Sequence, residues 1–420
     1  MQSHSRSQGP NVILYLPPGP LFQGHAHRFP GGDESDDSRL ENLKWAVDST
    51  NIGGLSPQQS LASMTSATVV TVNYRLGAVS PSPSSIEESI QNSTQTSHIA
   101  SSSSESSHSQ SQPTFYKYPT PIHDTLAAFD WIKTHLSPAH LGVIGSHIGG
   151  SLALMLALTE AQSVKAVASI MPVTDWVGLD DYCITEQLND NTSEKPTTKR
   201  GSKKKSLRAT TPRDLVPLLA AREALFSSPE RCFDAFASPI LFLRSAGRDV
   251  PRAFPVYMSG PEYRVPVLKN VRHAALDGSS SHLNEGSNSL DGEDDELSEA
   301  GLTTVRRRKA LSRWPPYGLD YGAGGRGWAG NGVRRLEVTL PWVKIYVEGK
   351  EGEGNETVLA DQGEEMISVM RRACFFGREK GFGERRVDLV RGVGGLQGLG
   401  IGEEVGGWFE GIFDGRISDE

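Results

Sequence analysis

The sequence predicts an α/β protein, a doubly wound and mainly parallel sheet, and three observations lead there. Short runs such as "VILYL" (Val12 to Leu16) are apolar throughout, as strands buried on both faces are. Segments with apolar residues at helical spacing fall between these runs. In "VIGSHIGGSLALMLAL", Val143 to Leu158, one run passes into a helix through a turn flanked by glycines.

Val12 to Leu16 is closed by Pro17 and Pro18 and reads as the first strand. "ATVVTVNYRLG", Ala67 to Gly77, is the second, β-branched from Thr68 to Val72. The gap between them needs a connection, and "ESDDSRLENLKWAVDS" offers a helix. "TPIHDTLAAFDWIKTHL" is a further helix, with Leu126, Phe129 and Ile132 on one side and Pro121 near its start, where a missing N–H is tolerated. "HLGVIG" is a strand and "GGSLALMLALTEA" an almost wholly apolar, buried helix. Strands are expected again at "VKAVASIMPV" (164–173), at "SPILFLRSAGRDVP" (238–251) and, as the last, at "LEVTLPWVKIYVEG" (336–349). "DQGEEMISVMRRACFFGREKG" then makes an amphipathic helix.

Three stretches, 80–113, 189–213 and 276–301, are rich in Ser, Asn, Gly and charge and hold few large apolar residues to offset the entropy of ordering them. They read as disordered insertions. About 335 residues remain, enough for one large α/β core. The expected organisation is a single domain over 11–375, a cap region within it at 173–237, and a C-terminal tail at 376–420.

The net charge of −8 gives no reason to expect a nucleic-acid partner, and the basic run from Lys199 to Arg208 lies inside an insertion. Cys183, Cys232 and Cys374 are too few and too far apart for a disulfide framework or a metal site, and read as buried thiols of a reducing compartment. "MQSHSRSQGP" has no apolar core, and nowhere do eighteen apolar residues run together, so neither a signal peptide nor a transmembrane segment is expected. Cytoplasmic location follows as an expectation.

"NYRL" ending the second strand, "HDTLAAFDWIKTHL" after it, "GSHIGGSLAL" and "SPILFLRSAGRDVP" occur in the order found in α/β-hydrolases. From about Asn11 to Val347 the chain resembles this fold, and within it the esterase and lipase branch related to hormone-sensitive lipase. The resemblance implies a helical cap between Val173 and Pro239, with Trp176, Leu179, Tyr182, Leu215, Leu218, Leu219, Leu225 and Phe226 packing on the core or lining an acyl pocket. It also implies a strand hairpin ahead of Asn11, for which only ten polar residues are present.

Serine hydrolases of this fold need four parts, and three of them depart here. The elbow G-x-S-x-G raises a serine above the sheet beside backbone N–H donors. Gly145, Gly149 and Gly150 keep that turn and Ile148 follows it, but the presenting position holds His147, and Ser146 comes one residue early. The base belongs after the last strand, yet all eleven histidines lie at or before His282. Asp249 matches the acid position, with no histidine there to orient. The oxyanion segment is "YLPPGPLFQGH", where Pro17, Pro18 and Pro20 lack an N–H, leaving Gly19, Leu21 and Phe22 as possible donors; only Gly19 keeps the expected character.

An imidazole is a competent nucleophile that titrates near neutral pH, and an elbow would expose it. No metal partner at H-x3-H or C-x2-C spacing stands near His147, and no cofactor is implied. Three readings stay open. The chain is a catalytically impaired relative that binds an apolar or acyl ligand, a weak ester hydrolase using His147 with Asp249 assisting, or an interaction scaffold acting through its Ser-rich insertions.

Overall fold

A computed structural model describes residues 9–19, 56–79, 114–185, 212–258, 260, 262–263, 265–268, 307–311, 340–349, 357–375, 379–392 and 400–417. The three expected insertions, apart from 212–213, and the helix expected before residue 50 lie outside the described residues.

In chain order the elements are β1 (Asn11–Leu16), α1 (Pro57–Thr65), β2 (Thr68–Thr71), β3 (Gly77–Val79), β4 (Thr114–Tyr116), α2 (Thr120–His135), β5 (His140–Ser146), α3 (Ile148–Thr159) and β6 (Ala166–Ile170). Then come β7 (Ile184–Thr185), α4 (Leu215–Leu225), β8 (Tyr257–Met258), β9 (Val267–Leu268), β10 (Trp342–Val347), α5 (Val358–Cys374), α6 (Phe382–Arg386), β11 (Val387–Arg391) and α7 (Gly400–Phe413). Six strands form one parallel sheet in the order β11-β10-β6-β5-β1-β2. This is the doubly wound α/β-hydrolase architecture that the sequence predicts.

The pleat sorts the helices into two layers. A Cβ placed on Gly142 would meet the rings of Phe409 and Phe413 in α7, whereas one on Gly145 would meet the first turn of α3. Three residues apart on a strand, these positions face opposite ways, so α7 covers one face and α3 the other. In register with Gly145 stand Ser169 and Ile345; Ser169 donates to the Gly150 carbonyl of α3, and Ile345 packs under Gly363 of α5. On the opposite face His140 stacks on Phe413 and Lys344 lies over Trp408. The helix α3 is buried from Ile148 to Leu158, which is why its sequence is apolar all round.

The exit of β2 is pinned to α2 by Arg75, whose guanidinium and backbone N–H all donate to Asp124 at 2.7–3.0 Å. This pair joins two of the pieces that carry the family resemblance, "NYRL" and "HDTL".

Two expectations are corrected. The region expected as a tail, where it is described, belongs to the fold: β11 is the sixth strand of the sheet, and α7 packs on α1 and on the β5–β6 face. The strand expected at 238–251 is instead a 3-10 turn, Pro239–Phe242, outside the sheet. Its apolar residues are used against the core, where Ile240 is fully buried, while the place beside β6 belongs to β10. The strand expected to be last is therefore the penultimate one.

Candidate functional site: the turn between β5 and α3

The site begins where β5 ends. His147 follows Ser146 with φ 50° and ψ −110°, a conformation that L residues other than glycine seldom adopt and that costs of order 1–3 kcal/mol. The surroundings over-determine it. The His147 N–H donates to Ile170 O at 2.9 Å, and its carbonyl accepts from Ser151 N at 3.0 Å and Ser151 Oγ at 3.1 Å. Ser151 Oγ also reaches Val173 O at 2.5 Å, tying the turn to the segment leaving β6.

The glycines are there because backbone crosses backbone. A Cβ on Gly145 would lie 2.1 Å from Gly149 O, one on Gly149 2.2 Å from Leu16 O, and one on Gly150 2.9 Å from Ser169 Oγ. No side chain fits at the first two without moving main chain.

The His147 side chain differs from its expected state. It is 1 % exposed, and burial pushes its pKa down to about 4, so the imidazole is neutral at physiological pH. An exposed group titrating near neutrality is not what this turn presents. Ser146 is buried at the end of β5, with its Cβ on the other side of the strand from the turn.

Asp249 sits in a loop after the 3-10 turn rather than at the end of a sheet strand. It is about half exposed and pairs with Arg307 at 3.2 Å. At the carboxyl end of β10, the penultimate strand, the first turn of α5 is closed by two other groups. Thr357 Oγ1 accepts from Ala360 N at 3.2 Å, and Asp214, from the start of the cap helix α4, accepts from Val358 N at 2.7 Å and Leu359 N at 3.0 Å. Asp214 is 2 % exposed, and burial raises its pKa above the usual carboxylate range. Nothing local marks it in the sequence; 144 residues separate it from Val358.

On the β1 side Gly19 has φ +83°, and its Cβ position lies 3.1 Å from the Tyr74 hydroxyl. That hydroxyl donates to the carbonyl of Pro17. Tyr74 is buried, and burial raises its pKa. The loop that would carry oxyanion donors is thus packed onto Tyr74, which the reading of the sequence passed over although it lies within "NYRL". Leu21 and Phe22 lie outside the described residues.

The cap residues Trp176, Leu179, Leu215, Leu218, Leu219, Leu225 and Phe226 are buried, with Tyr182 partly so. Beneath them charges run in a chain. Arg222 meets Asp180 at 2.8 Å, Arg248 meets Asp180 at 3.1 Å and also Asp181, and Arg244 meets Asp175 at 2.8 Å and Glu365 at 3.1 Å. Among the described residues no group of three or more His, Cys, Asp or Glu could hold a metal ion, and no helix is long and apolar enough to cross a membrane.

Residues 111–254 match the profile of the α/β-hydrolase fold family. Among solved structures the chain is similar to the hyperthermophilic esterase of the archaeon Pyrobaculum calidifontis, at 15 % identity and TM-score 0.39, covering 98 % of this chain and 78 % of that one. It is also similar to the thermostable carboxylesterase EstE1 from a metagenomic library, at 14 % identity and TM-score 0.40 over 98 % and 82 % of the two chains. A third is carboxyl esterase 2 of the mycorrhizal fungus Tuber melanosporum, at 13 % identity and TM-score 0.39 over 97 % and 78 %. Comparison with curated proteins gave no significant match.

Proposed function

As a member of the α/β-hydrolase fold family, of its esterase and lipase branch, the chain has an elbow with no serine at its tip, and we propose that it binds an apolar or acyl ligand without serine-type hydrolysis. The observation that carries this reading is His147 itself, held at the elbow's strained φ and ψ yet 1 % exposed and neutral. Serine-hydrolase chemistry moves a proton from the nucleophile to a histidine after the last strand and then to the leaving group. All eleven histidines of the sequence lie at or before His282, ahead of β10 and β11, so the place where the family keeps that base is not filled by one of them.

What the family scaffold supplies without the reaction is a folded elbow, a helix start beside it and an apolar cap. These suit the recognition of a carbonyl or carboxylate head on an apolar chain. In this reading the protein acts in the cytoplasm, where its thiols stay reduced; none of the three cysteines is bonded to another.

A second reading is favoured by one observation, the neutral state of His147, since only the unprotonated imidazole attacks an ester. Attack by an imidazole nitrogen on the carbonyl carbon would expel the alkoxide, which takes the ring N–H proton and leaves as the alcohol, and the acyl-imidazole left behind would be cleaved by water to the acid and free imidazole. Titration with a fluorescent fatty acid, run beside a 4-nitrophenyl butyrate assay, separates the two. Saturable one-to-one binding with hydrolysis at the blank rate supports the first reading; repeated turnover lost in His147→Asn supports the second and refutes the first.

A further inference from the structure

A five-residue segment, 307–311, lies against the exit of the 3-10 turn at Pro239–Phe242. Ser245 N donates to Ala310 O at 2.8 Å and Arg307 N to Gly247 O at 2.7 Å, and Arg244 and Leu311 form an antiparallel bridge. Ser245 Oγ adds two contacts, accepting from Ala310 N at 3.0 Å and donating to Arg308 O at 3.4 Å. All four of these bonds use main-chain atoms of the segment and read none of its side chains, as when an extended peptide adds to a strand edge.

The side chains supply the selectivity. Successive residues of an extended segment point to opposite sides, so Arg307 and Lys309 share one. Arg307 meets Asp249 at 3.2 Å, and Lys309 Nζ lies 3.5 Å from Asp181, 3.9 Å from Glu365 and 4.0 Å from Asp175. Within the charge chain beneath, Arg222, Arg244 and Arg248 face Asp175, Asp180, Asp181 and Glu365, and Lys309 brings the fourth cation. All five residues of the segment are exposed, so it rests on the surface rather than forming part of the core. Gly247 makes the approach possible: its φ is +75°, and a Cβ there would lie 2.6 Å from Lys309 Cγ and 3.2 Å from Arg307 O.

We propose that the edge from Arg244 to Asp249, with the acids Asp175, Asp181 and Glu365, is a docking site for an extended basic segment of a partner protein, read as basic-x-basic, and that residues 307–309 occupy it as a built-in competitor. Tethering raises the local concentration of the built-in segment to about millimolar, so a partner must outbid it or meet it weakened. The proposal does not depend on whether the elbow binds or hydrolyses anything.

The test uses the full chain and a fluorescently labelled peptide of residues 304–311, TVRRRKAL, followed by anisotropy. With Arg307→Ala and Lys309→Ala together in the protein, the peptide should bind saturably, one to one, at least about tenfold tighter than to the unaltered chain and more weakly as salt rises. Adding Gly247→Ala should weaken that binding about tenfold or more, and a peptide carrying Arg307→Glu and Lys309→Glu should not bind. Melting curves check that each variant is folded; should the double variant not fold, Lys309→Gln alone takes its place. Absence of saturable binding, binding indifferent to Gly247→Ala, or a concentration-dependent dimer that swaps the segment between copies would each overturn the proposal.

Discussion

The elbow and the charge chain under the cap are both buried, and they keep polar groups out of water in opposite ways. At the elbow one imidazole is taken out of water by burial and responds by staying neutral, its pKa lowered to about 4. Under the cap, buried arginines and carboxylates are held against one another, as Arg222 with Asp180 and Arg244 with Asp175, each at 2.8 Å, show. At the first region burial shifts a titration; at the second, pairing builds a network whose members depend on each other. The elbow is therefore sensitive to pH, and the cap to the loss of a single partner.

The sharpest way to break this contrast is to remove one cation from the cap. Arg244→Ala leaves Asp175 buried beside a lost guanidinium and should cost about 3–5 kcal/mol, read as a lowered denaturant midpoint with an unchanged slope. A loss under about 1 kcal/mol would mean that water replaces the arginine and the network is not interdependent.

The next effect belongs to the elbow. A histidine whose folded pKa lies below its unfolded value near 6.5 binds its proton more readily in the unfolded chain. Its contribution is fully present above about pH 6.5 and is lost as the pH falls toward 4, by about 3 kcal/mol over that window. His147→Asn, which tolerates positive φ, should remove that part of the acid slope. Matching pH–stability curves for the two chains would show that the imidazole is hydrated.

Asp214 stands between the two regions, a cap residue that closes the first turn of the core helix α5. Asp214→Ala should cost about 2 kcal/mol by leaving the N–H groups of Val358 and Leu359 without their acceptor. The smallest effect is expected at Arg416, exposed beside Glu410 and Asp414: Arg416→Ala should leave the denaturant midpoint unchanged within error, a control for the buried pairs.

How much of this was legible follows the same division. The elbow could be read from the sequence because its constraint is local: Gly145, Gly149 and Gly150 surround one turn, the first two where main chain meets main chain and the third where Ser169 Oγ comes close. The sheet's inner strands could be read from their continuous apolar runs. "ILFL" misled because four-residue apolar runs also serve buried 3-10 turns, and Ile240 is buried without a strand neighbour. "VDLVR" was passed over because its charged ends and the glycines after it resemble a tail, although β10 pairs with all five of its residues. The charge chain and Asp214 were illegible because their partners lie 42 to 145 residues away, and no periodicity encodes such pairs.

The account's central claim is that the elbow has kept its geometry and lost serine-type turnover. Hydrolysis of 4-nitrophenyl butyrate by the purified chain and by His147→Asn, from pH 5 to 9, tests it most directly. The account predicts that both proteins follow the buffer blank across the range. Repeated turnover by the unaltered chain, absent from His147→Asn and already at its plateau by pH 5 to 6 because the imidazole is neutral there, would contradict it.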